Sequence, residues 1–315
     1  MLSDFRQHFF LPVTEQSTYT HKFGICHLGI IPVRATPASK SEQVTQLLFG
    51  ETYQVTKVSA DHKFVWIIAD YDEYSGWVDI SRWKKVSEAF YQKAKQAQHL
   101  MVDQAFALLT KSVYTNTLSF GSTLPTYTKG ELCWEEEAMC YNAKIRDTRN
   151  KVDRDQIIWM AFTFLGTPYL WGGKSIFGID CSGLTQLVYK AGGYFLPRDA
   201  YQQATLGAKV ACLAEVKTGD LVFFARKDNI IHVGIVLIIS DIYKTFPTIA
   251  QKMEETVAIL EGQKLEVNPA TKQPYQWVLH AYDCVRIDIL DSKGIYNVNE
   301  KQYTHYTHSI KQIIP

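Results

Sequence analysis

Between residues 153 and 193 two helix-forming stretches flank a glycine-rich aromatic loop, and strand-like runs follow them. Asp153 opens the first stretch, in which Ile157, Ile158, Met160, Ala161, Phe164 and Leu165 recur near helical spacing up to Gly166. Thr167-Pro168 turns the chain into Tyr169-Leu170-Trp171-Gly172-Gly173, and a second helix is expected from Cys181 to Ala191, stopped by Gly192-Gly193. Strands are expected at 220–225, 232–239 and 277–289. Helices first and an antiparallel sheet afterwards make an α+β domain.

The preceding half reads differently. Gly29–Val33, Thr52–Val58, Phe64–Ala69 and Gly76-Trp77-Val78 are short β-rich stretches separated by turn signals, the rhythm of a small β-barrel. With Gly50-Glu51 entering a strand after Leu47-Leu48-Phe49, and an aromatic following Gly76, this part resembles a bacterial SH3-like domain. Gln, Lys and Ala dominate from Ser87 to Ala107, which favours a joining helix. A second strand-rich stretch, about 108–148, is punctuated by Gly121, Pro125 and Gly130 and is expected to form a second, less regular SH3-like unit. The expected domains are therefore 1–86, 87–150 and 151–315.

Charge removes several classes of partner. Lys plus Arg number 33 against 32 Asp plus Glu, so nothing draws the chain to nucleic acid or an acidic membrane, and a small peptide is the more natural partner. The run Val233–Ile239 is far too short to span a bilayer. Met1-Leu2-Ser3-Asp4 lacks the positive start and apolar stretch of a signal peptide, which favours the cytoplasm; a leader trimmed before numbering would leave a periplasmic or secreted protein with the same sequence. Six cysteines (Cys26, Cys133, Cys140, Cys181, Cys212 and Cys284) include no C-x-x-C pair, so neither a zinc site nor a redox motif is signalled and no metal or cofactor is expected. They are expected to be free thiols, with Cys133 and Cys140 able to pair in an exported protein.

Taken alone, Cys181 would read as a buried filler. Its position at the first turn of a helix, where unpaired N–H groups and the helix dipole favour a thiolate, gives it a chemical use. The small and polar neighbours Asp180, Ser182 and Gly183 would let a substrate backbone approach. His232 opens the apolar run Val233-Gly234-Ile235-Val236-Leu237 just after the turn Lys227-Asp228-Asn229, at a strand edge from which its ring can reach a cleft. His280 closes Trp277-Val278-Leu279 and could hold the first imidazole through one hydrogen bond.

Residues 151–292 resemble the NlpC-type family of papain-like cell-wall peptidases. The shared motifs occur in order: Gly166 through Gly173 with Tyr169 and Trp171, Asp-Cys-Ser-Gly at 180–183, Pro197-Arg198-Asp199 with a trailing Gln203, Gly-Asp-Leu-x-Phe-Phe at 219–224, His-Val-Gly-Ile at 232–235, and His280-Ala281. The resemblance implies a catalytic set of Cys181, His232 and His280. It departs from the family in one respect: 48 positions separate His232 from His280, filled by an insert at about 240–275 where the family has a short hairpin. Such an insert is expected at the surface, where added length costs little entropy.

With SH3-like units in front, the chain resembles the subgroup that cleaves between γ-D-glutamate and a diamino acid in murein peptides with a free N-terminal L-Ala. That resemblance implies that Glu51, Asp180 and Asp199 read the substrate ammonium and that Tyr169, Trp171 and Ser182 contact substrate. A related amidase or acyltransferase using the same Cys and His pair, and a wall-binding module with a decayed third domain, are the alternative readings. Oligomeric state, and diaminopimelate versus lysine at the cleaved bond, are left open.

Overall fold

The computed structural model describes residues 22–111, 114–125, 127–128, 131–134, 137–141, 144–261 and 276–315. The start of the expected first domain, the side chains of Cys133 and Cys140 and the 262–275 part of the insert lie outside the described residues.

Seven strands form the N-terminal SH3-like unit: β1 Phe23–Ile25, β2 Ile30–Arg34, β3 Gln43–Leu48, β4 Thr52–Val58, β5 Phe64–Ala69, β6 Ser75–Asp79 and β7 Lys84–Lys85, in the order β3-β2-β6-β5-β4-β1-β7. Alternation places Ile31, Val33, Val55, Val65, Ile67 and Val78 in one buried core.

Ser87 caps helix α1 (Glu88–Gln96), its side chain accepting from the Phe90 N–H. The helix expected to reach Ala107 stops here. Leu100-Met101-Val102 becomes strand β8 and pairs with β14 (Ile145–Asp147), because two of its apolar side chains are buried between the units and pairing there outweighs local helix propensity. Between them, β9 (Phe106–Lys111), β10 (Tyr114–Ser119), β11 (Tyr127–Thr128), β12 (Glu131–Trp134) and β13 (Glu137–Tyr141) form a five-stranded sheet in the order β10-β9-β13-β12-β11. Ile25 and Phe49 of the first unit share a core with Tyr91 of α1 and with Val102, Leu109, Leu118 and Leu124, so the two β units are packed together.

The C-terminal domain opens with α2 (Arg154–Phe162), a small hairpin of β15 (Lys174–Ser175) and β16 (Gly178–Ile179), α3 (Cys181–Ala191) and the single turn α4 (Ala200–Gln203). Strands β17 (Ala208–Val210), β18 (Leu221–Arg226), β19 (Asn229–Leu237), β20 (Gln276–Tyr282), β21 (Cys284–Leu290), β22 (Gly294–Asn297) and β23 (Gln302–Gln312) follow, in the order β17-β23-β18-β19-β20-β21-β22. Because β22 also pairs with β23, six of them close into a barrel. The strand expected at 277–289 is two strands, reversed at Asp283, whose φ of 57° makes the turn. Leu221, Phe223, Val233, Ile235 and Leu279 face α2 and α3, whereas Val222, Phe224, Val236, Val278 and Ile310 form a separate core inside the barrel.

The insert begins as α5 (Ile239–Thr245) and α6 (Pro247–Glu261). It is not wholly superficial: Ile242, Ala250 and Met253 are buried in the main core, and Phe246 packs edge-on against Phe162 of α2 at 4.7 Å.

Candidate active site

Helix α3 starts at Cys181 because Asp180 caps it. The Asp180 backbone is extended, and its Oδ1 accepts the Gly183 N–H at 2.7 Å. Buried Arg198 grips the same carboxylate through both terminal nitrogens (3.0 and 2.6 Å), and Oδ2 also accepts the Gly172 N–H at 2.8 Å. Arg198 further reaches Ser182 Oγ at 2.9 Å and Thr45 Oγ1 of the first unit at 2.9 Å. One guanidinium therefore ties the aromatic loop, the start of α3 and strand β3 together. Gln203 braces the same turn, donating to the carbonyls of Ser182 and Pro197.

The Cys181 sulfur is buried beneath β19, where the backbone N–H groups of Val233 and Ser182 are directed at it. The helix-start thiolate expected from the sequence is opposed by its surroundings. Burial, with Asp180 adding to it, pushes the thiol up to about 12, and the two amides and Arg198 offset only part of this. Next to Val233, the His232 Nε2 lies 2.8 Å from His280 Nδ1, and His280 Nε2 lies 3.0 Å from Asp288 Oδ2. Asp288 is itself held by Arg286 at 2.8 Å.

This row of groups sets the tautomers. A carboxylate only accepts, so His280 Nε2 donates to Asp288, His280 Nδ1 accepts, and His232 Nε2 is the donor. The remaining nitrogen, His232 Nδ1, then carries a lone pair and can take a thiol proton. Burial lowers the His232 pKa well below its ordinary value, and His305 and His280 add to the effect. Both groups are thereby held toward their neutral forms, the thiol by a raised and the imidazole by a lowered pKa.

Around the sulfur, Tyr169 is half-buried and its hydroxyl is pushed up by burial and by Cys181 and Asp180. Trp171 is 61% exposed and donates from Nε1 to Glu42 Oε1 at 2.9 Å, while Gln43 Nε2 donates to the Trp171 carbonyl. Gly172 makes this approach feasible: with φ at +70°, a Cβ there would stand 2.4 Å from the Gln43 carbonyl oxygen. Tyr74 of the first unit donates to Asp199 at 3.3 Å, so that unit contacts the C-terminal domain here as well.

Two carboxylates expected to face a substrate ammonium have partners within the protein. Asp180 is taken up by capping and by Arg198. Glu51 is fully buried and receives Lys174 Nζ (3.1 and 3.0 Å), Lys190 Nζ (2.8 Å) and the Leu48 N–H (2.9 Å). A buried carboxylate already neutralised by two ammonium groups has little left for a third. Asp199 also has a partner, accepting from the Tyr74 hydroxyl at the start of α4. Sequence reasoning missed Asp288, His305 and Tyr74. The signal for Asp288 was an acid in the alternating apolar strand Val285-Arg286-Ile287-Asp288-Ile289, a position that burial requires to be paired. Among the described residues no group of three histidine, cysteine or acidic side chains is arranged to hold a metal ion, and no helix is long and apolar enough to cross a membrane.

Residues 166–292 match the NlpC/P60 family, and residues 33–82 match the bacterial dipeptidyl-peptidase Sh3 domain. A gamma-D-glutamyl-L-lysine dipeptidyl-peptidase of Bacillus subtilis is 33% identical over 238 residues, covering 70% of this chain and 74% of the relative. Dipeptidyl-peptidase 6 of Lysinibacillus sphaericus is 26% identical over 208 residues, covering 60% of this chain and 77% of the relative. In fold, the chain is similar to the crystal structure of an NlpC/P60 family protein from Bacillus cereus, with a TM-score of 0.68 at 18% identity, covering 93% of this chain and 100% of that one. Fold and relatives together define a hydrolase of the peptidase class, an SH3-like unit joined to an α+β domain. The chain belongs to the NlpC/P60 family of cell-wall peptidases.

Proposed function

We propose that the protein hydrolyses the γ-D-glutamyl–diamino acid bond of murein peptides that begin with a free L-Ala, with Cys181 as nucleophile and His232 as acid and base. The observation that carries this reading is the contact of the first unit with residues of the candidate site: Tyr74 reaches Asp199, and Glu42 and Gln43 reach Trp171. The B. subtilis relative, named a gamma-D-glutamyl-L-lysine dipeptidyl-peptidase, supports the same bond. Asp199, with the Tyr74 hydroxyl, is the carboxylate that would receive the L-Ala ammonium.

In this mechanism the Cys181 proton passes to His232 Nδ1 as sulfur bonds to the γ-carbonyl carbon. The Cys181 N–H, first in α3 and without an intrahelical acceptor, faces the oxyanion. Imidazolium His232 returns the proton to the leaving amine as the C–N bond breaks, giving a thioester and the free diamino-acid end. Water, deprotonated by His232, then cleaves the thioester and restores the thiol.

The test is mass spectrometry of L-Ala-γ-D-Glu-L-Lys and its diaminopimelate counterpart after incubation with the native protein and with Cys181→Ser. Release of L-Ala-D-Glu by the native protein alone is expected. No cleavage by either protein, or equal cleavage of N-acetylated and free peptides, would remove the reading.

A further inference from the structure

His305 lies on β23, beyond the residues 166–292 that match the family, and no step above uses it. Yet its ring stacks on His232, with centroids 4.1 Å apart and planes 25° from parallel. His232 is held by its bond to the chain at Cγ and by the hydrogen bond to His280 at Nε2, and because these points lie close to one axis they leave the ring plane to turn about it. Phe224, at 5.8 Å and tilted by 40°, is too distant and too oblique to fix the plane. Of the described aromatic rings near it, His305 is the one stacked on its face.

The backbone is built to deliver this contact. β23 is paired on one side with β18 and on the other with β22, and each pairing slips by one residue next to this point, between Phe223 and Phe224 and between Ile295 and Tyr296. At Gly294 on β22 a Cβ would stand 1.8 Å from the His305 carbonyl oxygen, so a glycine is what lets β23 come this close.

We propose that His305 is a positioning residue for the Cys181–His232 pair, its ring face fixing the plane of the His232 imidazole so that Nδ1 stays turned toward the sulfur. The other titratable and charged groups around the stacked pair are His280 and Tyr282 on β20, Asp288 with Arg286 on β21, and Arg226 at the end of β18, with Cys181 on α3 reached by the Val233 N–H next to His232. Burial and His280 push His305 down to about 4, with Arg226 helping and Asp288 opposing. A neutral ring can therefore lie over the imidazolium that forms when His232 takes the thiol proton, without like-charge repulsion.

This role rests on His232 activating Cys181, so the test reads the thiol directly and does not depend on the peptide substrate. Alkylation of Cys181 by iodoacetamide is followed by mass spectrometry from about pH 4 to 9 in the native protein, His232→Ala, His305→Gln and His305→Phe, with thermal melts to establish folding. Gln fills space without a ring face, and Phe restores one. The expected result is a loss of about tenfold or more in alkylation rate for His305→Gln, with its acid limb moved to higher pH, and recovery to within about twofold for His305→Phe. Native rate and acid limb in a folded His305→Gln protein would overturn the proposal, as would a Phe variant no faster than Gln. Native alkylation in His232→Ala would instead remove the underlying assignment of His232.

Discussion

Two sets of buried ionisable groups stand within the same domain pair, and burial pushes both toward neutrality with opposite results. In the Glu51–Lys174–Lys190 cluster, removal from water would raise the Glu51 carboxyl, yet the two ammonium groups outweigh it and hold the acid at about 2. Its members join the first unit to β15 and α3 as fixed ions. In the Cys181–His232 pair no such excess of opposite charge is present, so the thiol rises and the imidazole falls until both are neutral. Equal burial thus yields a charged clasp where signs are mixed and neutral groups where they are not.

The sharpest way to break this contrast is to remove the base. His232→Ala is expected to lower kcat by about 10²- to 10⁴-fold with little change in the unfolding midpoint, measured by peptide hydrolysis and urea melts. Glu51→Gln should do the reverse. It leaves Lys174 and Lys190 buried without their counter-ion and should cost about 3–5 kcal/mol of stability in urea, while Cys181 in the folded protein keeps its alkylation rate. A stable Glu51→Gln protein with a dead thiol would merge the two clusters into one.

Acid separates them further. Glu51 has a folded pKa of about 2 against an ordinary value of 4.5, so its contribution, about 3 kcal/mol, is complete above 4.5 and is lost as pH falls from there through 2. His232, being depressed, stays neutral as pH falls through 6.5, so kcat/KM should hold below the pH at which an ordinary histidine would protonate. Tryptophan fluorescence and hydrolysis rates over the same pH series measure the two losses separately.

Asp288→Asn is expected to lower kcat by about a hundredfold, since an amide can turn its NH₂ toward His280 and reverse the tautomers along the row. The smallest change concerns the cleft rim. Trp171→Phe loses one exposed hydrogen bond to Glu42, about 0.5–1.5 kcal/mol, and should appear as a rise of a few-fold in KM with kcat retained.

Local signals in the sequence served well wherever a residue's neighbours in the chain are also its neighbours in space. Asp180 before a helical pattern marked the start of α3, and Lys227-Asp228 marked the hairpin that presents His232, both with φ above zero in the structure. Where partners come from far away, the same reasoning failed. Leu100-Met101-Val102 looked helical by composition but found a strand more than forty positions later. The protein partners of Glu51 and Asp180 were likewise not legible, because Lys190 is distant in sequence and Arg198 is folded back by the loop before α4. The strands after Leu290 carry polar and aromatic residues without strong alternation, which concealed both the barrel closure and the ring stacked on His232.

Barrel closure by β23 has a consequence for how the protein is made. Leu221 pairs with Lys311 across ninety positions of sequence, so β18 cannot acquire this neighbour until the ribosome has released nearly all of the described chain. A nascent chain would already display Cys181 on its helix, but with the imidazole it depends on still loosely held. If Cys181 and His232 act as proposed, the order of synthesis delays hydrolytic competence until the domain is assembled.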